Sequence, residues 1–230
     1  MEYIKEIIEA EFINRPNRFN ALVKINDKEE IVHVPNTGRC KEILITGTKV
    51  LLRKEDNPTR KTKYDLICAY KGDKLINIDS QIPNKVVMEA LINKKIGKLI
   101  EYNNILKEKT FGKSRFDFKL EKETGEEYYL EVKGVTLENN GYASFPDAPT
   151  DRGRKHLLEL VKVKEEGKGA GVLFLIQMEG MKEFTSNDEN DPAFGEALRY
   201  AKENGVDIFV YSCIVSEKEI TLNKEVKLSI

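Results

Sequence analysis

Asp117, thirteen intervening residues, then Glu131 and Lys133 form the set in this chain best suited to chemistry. Two carboxylates can share a divalent cation, and a lysine beside them can steer a cation-bound water or an anionic oxygen. Glu131 and Lys133 lie in "YYLEVKG", residues 128–134, which otherwise reads as a half-buried strand. Side chains two apart on a strand point the same way, so these two share a face. The question is whether Asp117 joins them.

Register answers it. Phe116, Phe118 and Leu120 share one face of the preceding strand, and Tyr128, Leu130 and Val132 share one face of the next. Matching buried faces sets the pairing of a hairpin. Leu120 then pairs with Tyr128, Phe118 with Leu130 and Phe116 with Val132. That leaves a three-residue loop, Glu123-Thr124-Gly125, with glycine where this loop type takes a left-handed residue. On the opposite face Asp117 falls across from Glu131, and Arg115 across from Lys133. Facing carboxylates repel unless a cation lies between them. Mg²⁺ takes one or two carboxylates and leaves its other positions to water and phosphate. The plain alternative is a solvated strand face in which Arg115 or Lys133 neutralises Asp117.

A second stretch, "TDRGRKH", crowds Arg152, Arg154 and Lys155 at the start of a helix capped by Thr150 or Asp151. The helix macrodipole disfavours cations there, and a bound phosphate would offset that. Pairing with Asp151 and Glu159 is the alternative. His156 borders the apolar stripe of this helix and reads as a packed residue. "PTRKTKY" sets Arg60 and Lys61 beside Tyr64, and "PNTGR" sets Arg39 after a glycine turn. Taken locally these are solvated loops, and His33 reads as structural.

The elements around these residues divide in two. Up to residue 83, short alternating runs ("FNALVKI", "EIVHV", "TKVLLRK", "YDLICAY", "LINID") alternate with turn formers, which predicts five strands in an OB-like barrel. From residue 84 to 230 the order is helix, three strands, helix, strand, helix, strand: an α/β domain with a mixed sheet. The first helix is expected to start at an Asn84 cap and close at Gly97, with strands over 98–106, 114–121 and 128–136. Composition narrows the class. No apolar run nears the roughly 20 residues of a membrane span, and the acidic, amphipathic start "MEYIKEIIEAEF" is unlike a secretory leader. Three scattered cysteines suit a reducing cytoplasm. A net charge of −1 gives no global attraction to nucleic acid, so any such binding needs local basic patches. Use of the two acids on a glycoside lacks an obvious sugar-stacking partner, and the chain has no tryptophan.

The spacing of Asp117 and Glu131-Val132-Lys133 resembles the D…(D/E)xK signature of restriction-endonuclease-like nucleases, although Phe116 stands where that signature often has proline. More specifically, "PNTGR", "DNPTRK", "SRFDF", "LEVKGVTL" and "FPDAPTDRGRKHLLEL" together resemble the sugar fermentation stimulation protein family, SfsA. The resemblance implies an N-terminal OB-like domain, a C-terminal nuclease-like domain and a DNA partner bound without strong sequence specificity. It implies a catalytic trio of Asp117, Glu131 and Lys133, with Mg²⁺ or Mn²⁺ on Asp117, Glu131 and, from the first helix, Glu89. It turns Arg152, Arg154, Lys155, Arg39, Arg60, Lys61 and Arg115 toward DNA. The implied activity is metal-dependent phosphodiester hydrolysis. The alternative is a non-catalytic DNA-binding regulator of sugar-metabolism genes. The oligomeric state is open, a homodimer included.

Overall fold

The computed structural model describes residues 1–230. Six strands come first: β1 (Ile7–Asn17), β2 (Asn20–Ile25), β3 (Lys28–His33), β4 (Lys49–Lys54), β5 (Tyr64–Lys71) and β6 (Lys74–Asn77). Their order is β3-β2-β1-β4-β5-β6, and a parallel bridge from His33 to Asp65 joins β3 to β5, closing β1 to β5 into a barrel. The five expected runs become β2 to β6. The remaining strand, β1, is the acidic start of the chain, where glutamates alternate with Ala10 and Phe12 that point into the barrel.

The rest builds on α1 (Ile82–Ile92), β7 (Asn104–Phe111), β8 (Ser114–Glu121), β9 (Glu127–Val135), β10 (Glu138–Asn139), β11 (Tyr142–Phe145), α2 (Asp151–Glu165), β12 (Gly169–Ile176), β13 (Glu183–Ser186), α3 (Pro192–Glu203), β14 (Asp207–Val215), β15 (Ile220–Glu225) and β16 (Lys227–Leu228). The main sheet runs β15-β14-β12-β9-β8-β7. β9, β12 and β14 are parallel, and the outer strands are antiparallel. Val86, Val87 and Ala90 of α1 pack on one side, with Phe118, Leu130 and Leu173. Leu157, Leu160 and Val161 of α2 pack on the other, with Tyr129, Val172 and Phe174. The parallel strand β12, "GAGVLFLI", is covered on both faces, which is why it carries no polar residue. A small sheet, β10-β11-β13-β16, lies outside the expected order because its strands are only two to four residues long.

Helix α1 differs from expectation. It starts at Ile82 with Pro83 in its first turn, so Asn84 lies inside the helix and caps nothing. It stops at Ile92, and Gly97 instead opens a 3₁₀ turn over Gly97–Leu99, which delays the first strand to Asn104. The start of α1 is fixed from the barrel. Buried Asp79 accepts from the Gln81 N–H at 2.9 Å and from Arg53 of β4 at 3.1 Å.

Candidate active site

The hairpin forms as its apolar pattern requires. Leu120 pairs with Tyr128 and Phe118 with Leu130, and Gly125 takes φ +89° in the three-residue loop. Beyond Phe118 the alternation breaks. Phe118 and Leu120 pack on the α1 side, but the Phe116 ring turns to the α2 side, 5.9 Å from Tyr129 and 5.9 Å from His156 between ring centres. The β8–β9 ladder stops there, so the expected Phe116–Val132 pair does not form. The Val132 N–H is taken instead by Asp117 Oδ2 at 2.8 Å. Thus Asp117 sits where two strands part, rather than on a regular sheet face.

The two acids are anchored from opposite layers. From the α1 side, Asn84 donates to Asp117 Oδ1 at 2.7 Å. From the α2 side, His156 Nδ1 meets Glu131 Oε1 at 2.5 Å, and Lys133 donates to the same oxygen at 2.6 Å. Glu131 Oε2 is buried with no partner. Burial first, then the Glu131 charge, pushes the Asp117 carboxyl above its ordinary range, outweighing the Val132 and Asn84 hydrogen bonds. Burial pushes Glu131 up as well, but the His156 hydrogen bond and the Lys133 charge prevail and hold it below the ordinary range. Asp117 and Glu131 lie close enough for their charges to interact, and Lys133 bonds Glu131, but the shared flat sheet face expected from the alternation does not form.

Glu89 does not join them. Its Oε2 lies 2.9 Å from the α-amino nitrogen of Met1. It lies five positions after Asn84, about 140° around the helix and 7.5 Å along it, so only one of the two can face Asp117. Asn84 is the residue that does. Proline in the first turn was the signal that this helix begins before Asn84. His156 is packed, as expected, but it also holds Glu131 in place. No periodicity distinguishes a packed histidine from one that is both packed and bonded.

The basic residues fall into separate groups. Thr150 caps α2 by accepting from the Gly153 N–H at 3.0 Å. Arg152 on its first turn and Lys155 just past it are exposed, and Arg154 lies 3.8 Å from Asp151. Glu159 faces Lys162 and the Lys113 N–H instead. Arg115 is exposed near the sheet edge, 3.7 Å from Glu108. Arg39 and Lys61 are also exposed. Arg60 is not a free cation. It donates at 2.5 Å to Asp65, which is buried beside Arg53 and His33. The cluster thus holds Arg53, and Arg53 holds Asp79 at the head of α1, so Arg60 is tied into the fold by ion pairs.

Two family descriptions cover most of the chain: "SfsA N-terminal OB domain" matches residues 13–78, and "Sugar fermentation stimulation protein RE domain" matches residues 81–219. A sugar fermentation stimulation protein homolog of Clostridium botulinum (strain Kyoto / Type A2) is 68% identical over 230 residues, covering 100% of both chains. The homolog of Clostridium perfringens (strain SM101 / Type A) is 63% identical over 228 residues, 99% of each. The solved structure of Pyrococcus furiosus SfsA in complex with Ca²⁺ superposes with a TM-score of 0.89 at 29% identity, over 100% of both chains. With the barrel, the mixed-sheet domain and the sequence similarity all extending over the full length, this chain belongs to the sugar fermentation stimulation protein family.

Proposed function

We propose that this protein binds DNA without strong sequence specificity and hydrolyses phosphodiesters at Asp117, Glu131 and Lys133 with Mg²⁺ or Mn²⁺. The carrying observation is Glu131. One of its oxygens is held by Lys133 and His156, the other is buried and bare, and the Glu131 charge reaches Asp117. A buried carboxylate oxygen without a partner is costly, and a cation between the two acids removes that cost. The donor set is hard oxygen, which suits these ions. When bound, such an ion polarises a phosphate oxygen and lowers the pKa of bound water.

The chain's own groups do the positioning. Asn84 and the Val132 N–H fix the Asp117 carboxylate, and His156 fixes Glu131. The Lys133 ammonium, held 2.6 Å from Glu131 Oε1, orients the attacking water and stabilises charge gathering on the phosphate. The Ca²⁺ complex of the P. furiosus relative supports this reading. Three free, buried cysteines fit the reducing cytoplasm in which we place the protein.

The test is cleavage of DNA by the intact protein with Mg²⁺ or Mn²⁺, compared with Lys133→Ala. The variant is expected to bind DNA and not cut it. Absence of cleavage by the wild type with either ion, while binding persists, overturns the catalytic reading. It would leave a DNA-binding regulator of sugar-metabolism genes. One observation favours that second reading: both Asp117 oxygens already accept hydrogen bonds.

A further inference from the structure

A cleft of about 970 Å³ opens between the barrel and the second domain. One wall is the β1–β2 corner with residues 36–46. The other runs from Gly134 to Leu137 and from Ser144 to Thr150. Its charge is one-sided. Arg15, Arg18, Arg39 and Lys41 line it, against Asp147 as the sole acid. Asp147 is already engaged, with Oδ2 accepting from the Arg39 and Cys40 N–H groups. Arg15 is built into the wall, donating to the carbonyls of Arg18, Asn36, Gly38 and Arg39, and meets no carboxylate. Arg18, Arg39 and Lys41 also lack any carboxylate partner, in a chain with more acids than bases. Elsewhere, buried acids such as Asp65 and Glu138 are matched by cations. A net positive, unneutralised cleft in a slightly acidic protein is a local site for an anion.

The cleft borders the acids without including them. Gly134 on its wall directly follows Lys133, and Thr150 on its rim caps the helix that carries Arg152, Lys155 and His156. A Cβ on Gly134 would strike Gln177 and Pro83, so glycine is what lets strand and helix close up behind Lys133. Its volume is at the upper end of the roughly 300–1,000 Å³ of a small-ligand pocket, which is room for a short stretch of one strand rather than for a duplex. Phe145 on the wall is packed on Phe174 and Phe194, but Phe19, next to Arg18 in the chain, is 53% exposed and offers a face for base stacking at the mouth.

We infer that this cleft holds a single DNA strand, with Arg18, Arg39 and Lys41 on its phosphates, and feeds it toward Asp117, Glu131 and Lys133. The inference rests on the proposed DNA binding but not on cleavage. The experiment is anisotropy of a labelled single-stranded oligonucleotide and of its duplex, in EDTA, across a salt series. The Arg18→Ala/Arg39→Ala/Lys41→Ala variant is compared with the wild type, and equal thermal melts confirm its fold. The wild type is expected to prefer the single strand. With about 0.7 counterions released per phosphate contact, losing three contacts makes the log–log salt slope shallower by about 2 and weakens binding about a hundredfold at 0.1 M salt. An unchanged slope, or a wild-type preference for duplex, overturns the inference while leaving the DNA-binding reading intact. No binding of either form by the wild type overturns both.

Discussion

Asp117→Asn separates a cation site from a decorated strand end without needing a substrate. In wild type, Oδ2 accepts from the Val132 N–H and Oδ1 from Asn84. An asparagine keeps one acceptor for Val132, and its amide hydrogens find the Asn84 oxygen once that side chain turns over. The hydrogen-bond count is conserved, and the repulsion from Glu131 is removed. In EDTA the variant is therefore expected to be as stable as wild type or better by up to about 1 kcal/mol, which is up to about 4 °C in Tm for a chain of this size. Excess Mn²⁺ reverses the order. At a hundredfold excess over Kd, binding to the folded form alone adds about 2.7 kcal/mol, or about 5–11 °C, to the wild type and much less to the variant. Differential scanning fluorimetry of both proteins with EDTA and then Mn²⁺ reads this crossover. Equal Mn²⁺ shifts in the two proteins refute the cation site. A loss of more than about 2 kcal/mol by the variant in EDTA refutes the geometry, since it makes Asp117 a structural anion.

Replacing Arg152 and Lys155 with Ala is expected to make the salt slope of duplex binding shallower by about 2, if each meets one phosphate; an unchanged slope removes the α2 terminus from the interface. Arg53→Met leaves Asp65 and Asp79 buried beside a lost partner and is expected to cost about 3–5 kcal/mol in urea melts; a cost below about 1 kcal/mol means the cluster does not anchor α1. Glu138 of the second domain ties Lys71 and Lys74 of the barrel at 2.7 Å each. Burial pushes its carboxyl up, but the two lysines outweigh burial and hold it at about 2. A depressed acid stabilises the fold above its unfolded value of about 4.5, and that stability is lost as pH falls from there toward 2. Glu138→Gln is expected to cost on the order of 3 kcal/mol at pH 7 and to lose the dependence over that window; a parallel pH profile refutes the tie.

What the amino-acid sequence determined by itself was whatever repeats locally. Period-two alternation specified most strands, and the Phe118–Leu130 register with its glycine loop followed from matching apolar faces. Thr150 and Asp191 announced α2 and α3, because a cap bonds its own first turn. Asp117, Glu131 and Lys133 were legible for the same reason, as residues of one hairpin separated by a countable loop. Their support was not. Asn84 lies 33 residues before Asp117, and His156 lies 25 after Glu131, and no periodicity links such distances. Only packing decided that Asn84 rather than Glu89 faces the sheet, that Phe116 changes sides where β8 leaves β9, and that Arg60 turns inward. The Asn84 and Phe116 outcomes are choices between partners far apart in the chain, made by which layers of the tertiary structure close on them; Arg60 turns to Asp65 only five residues on, but because the barrel buries that carboxylate.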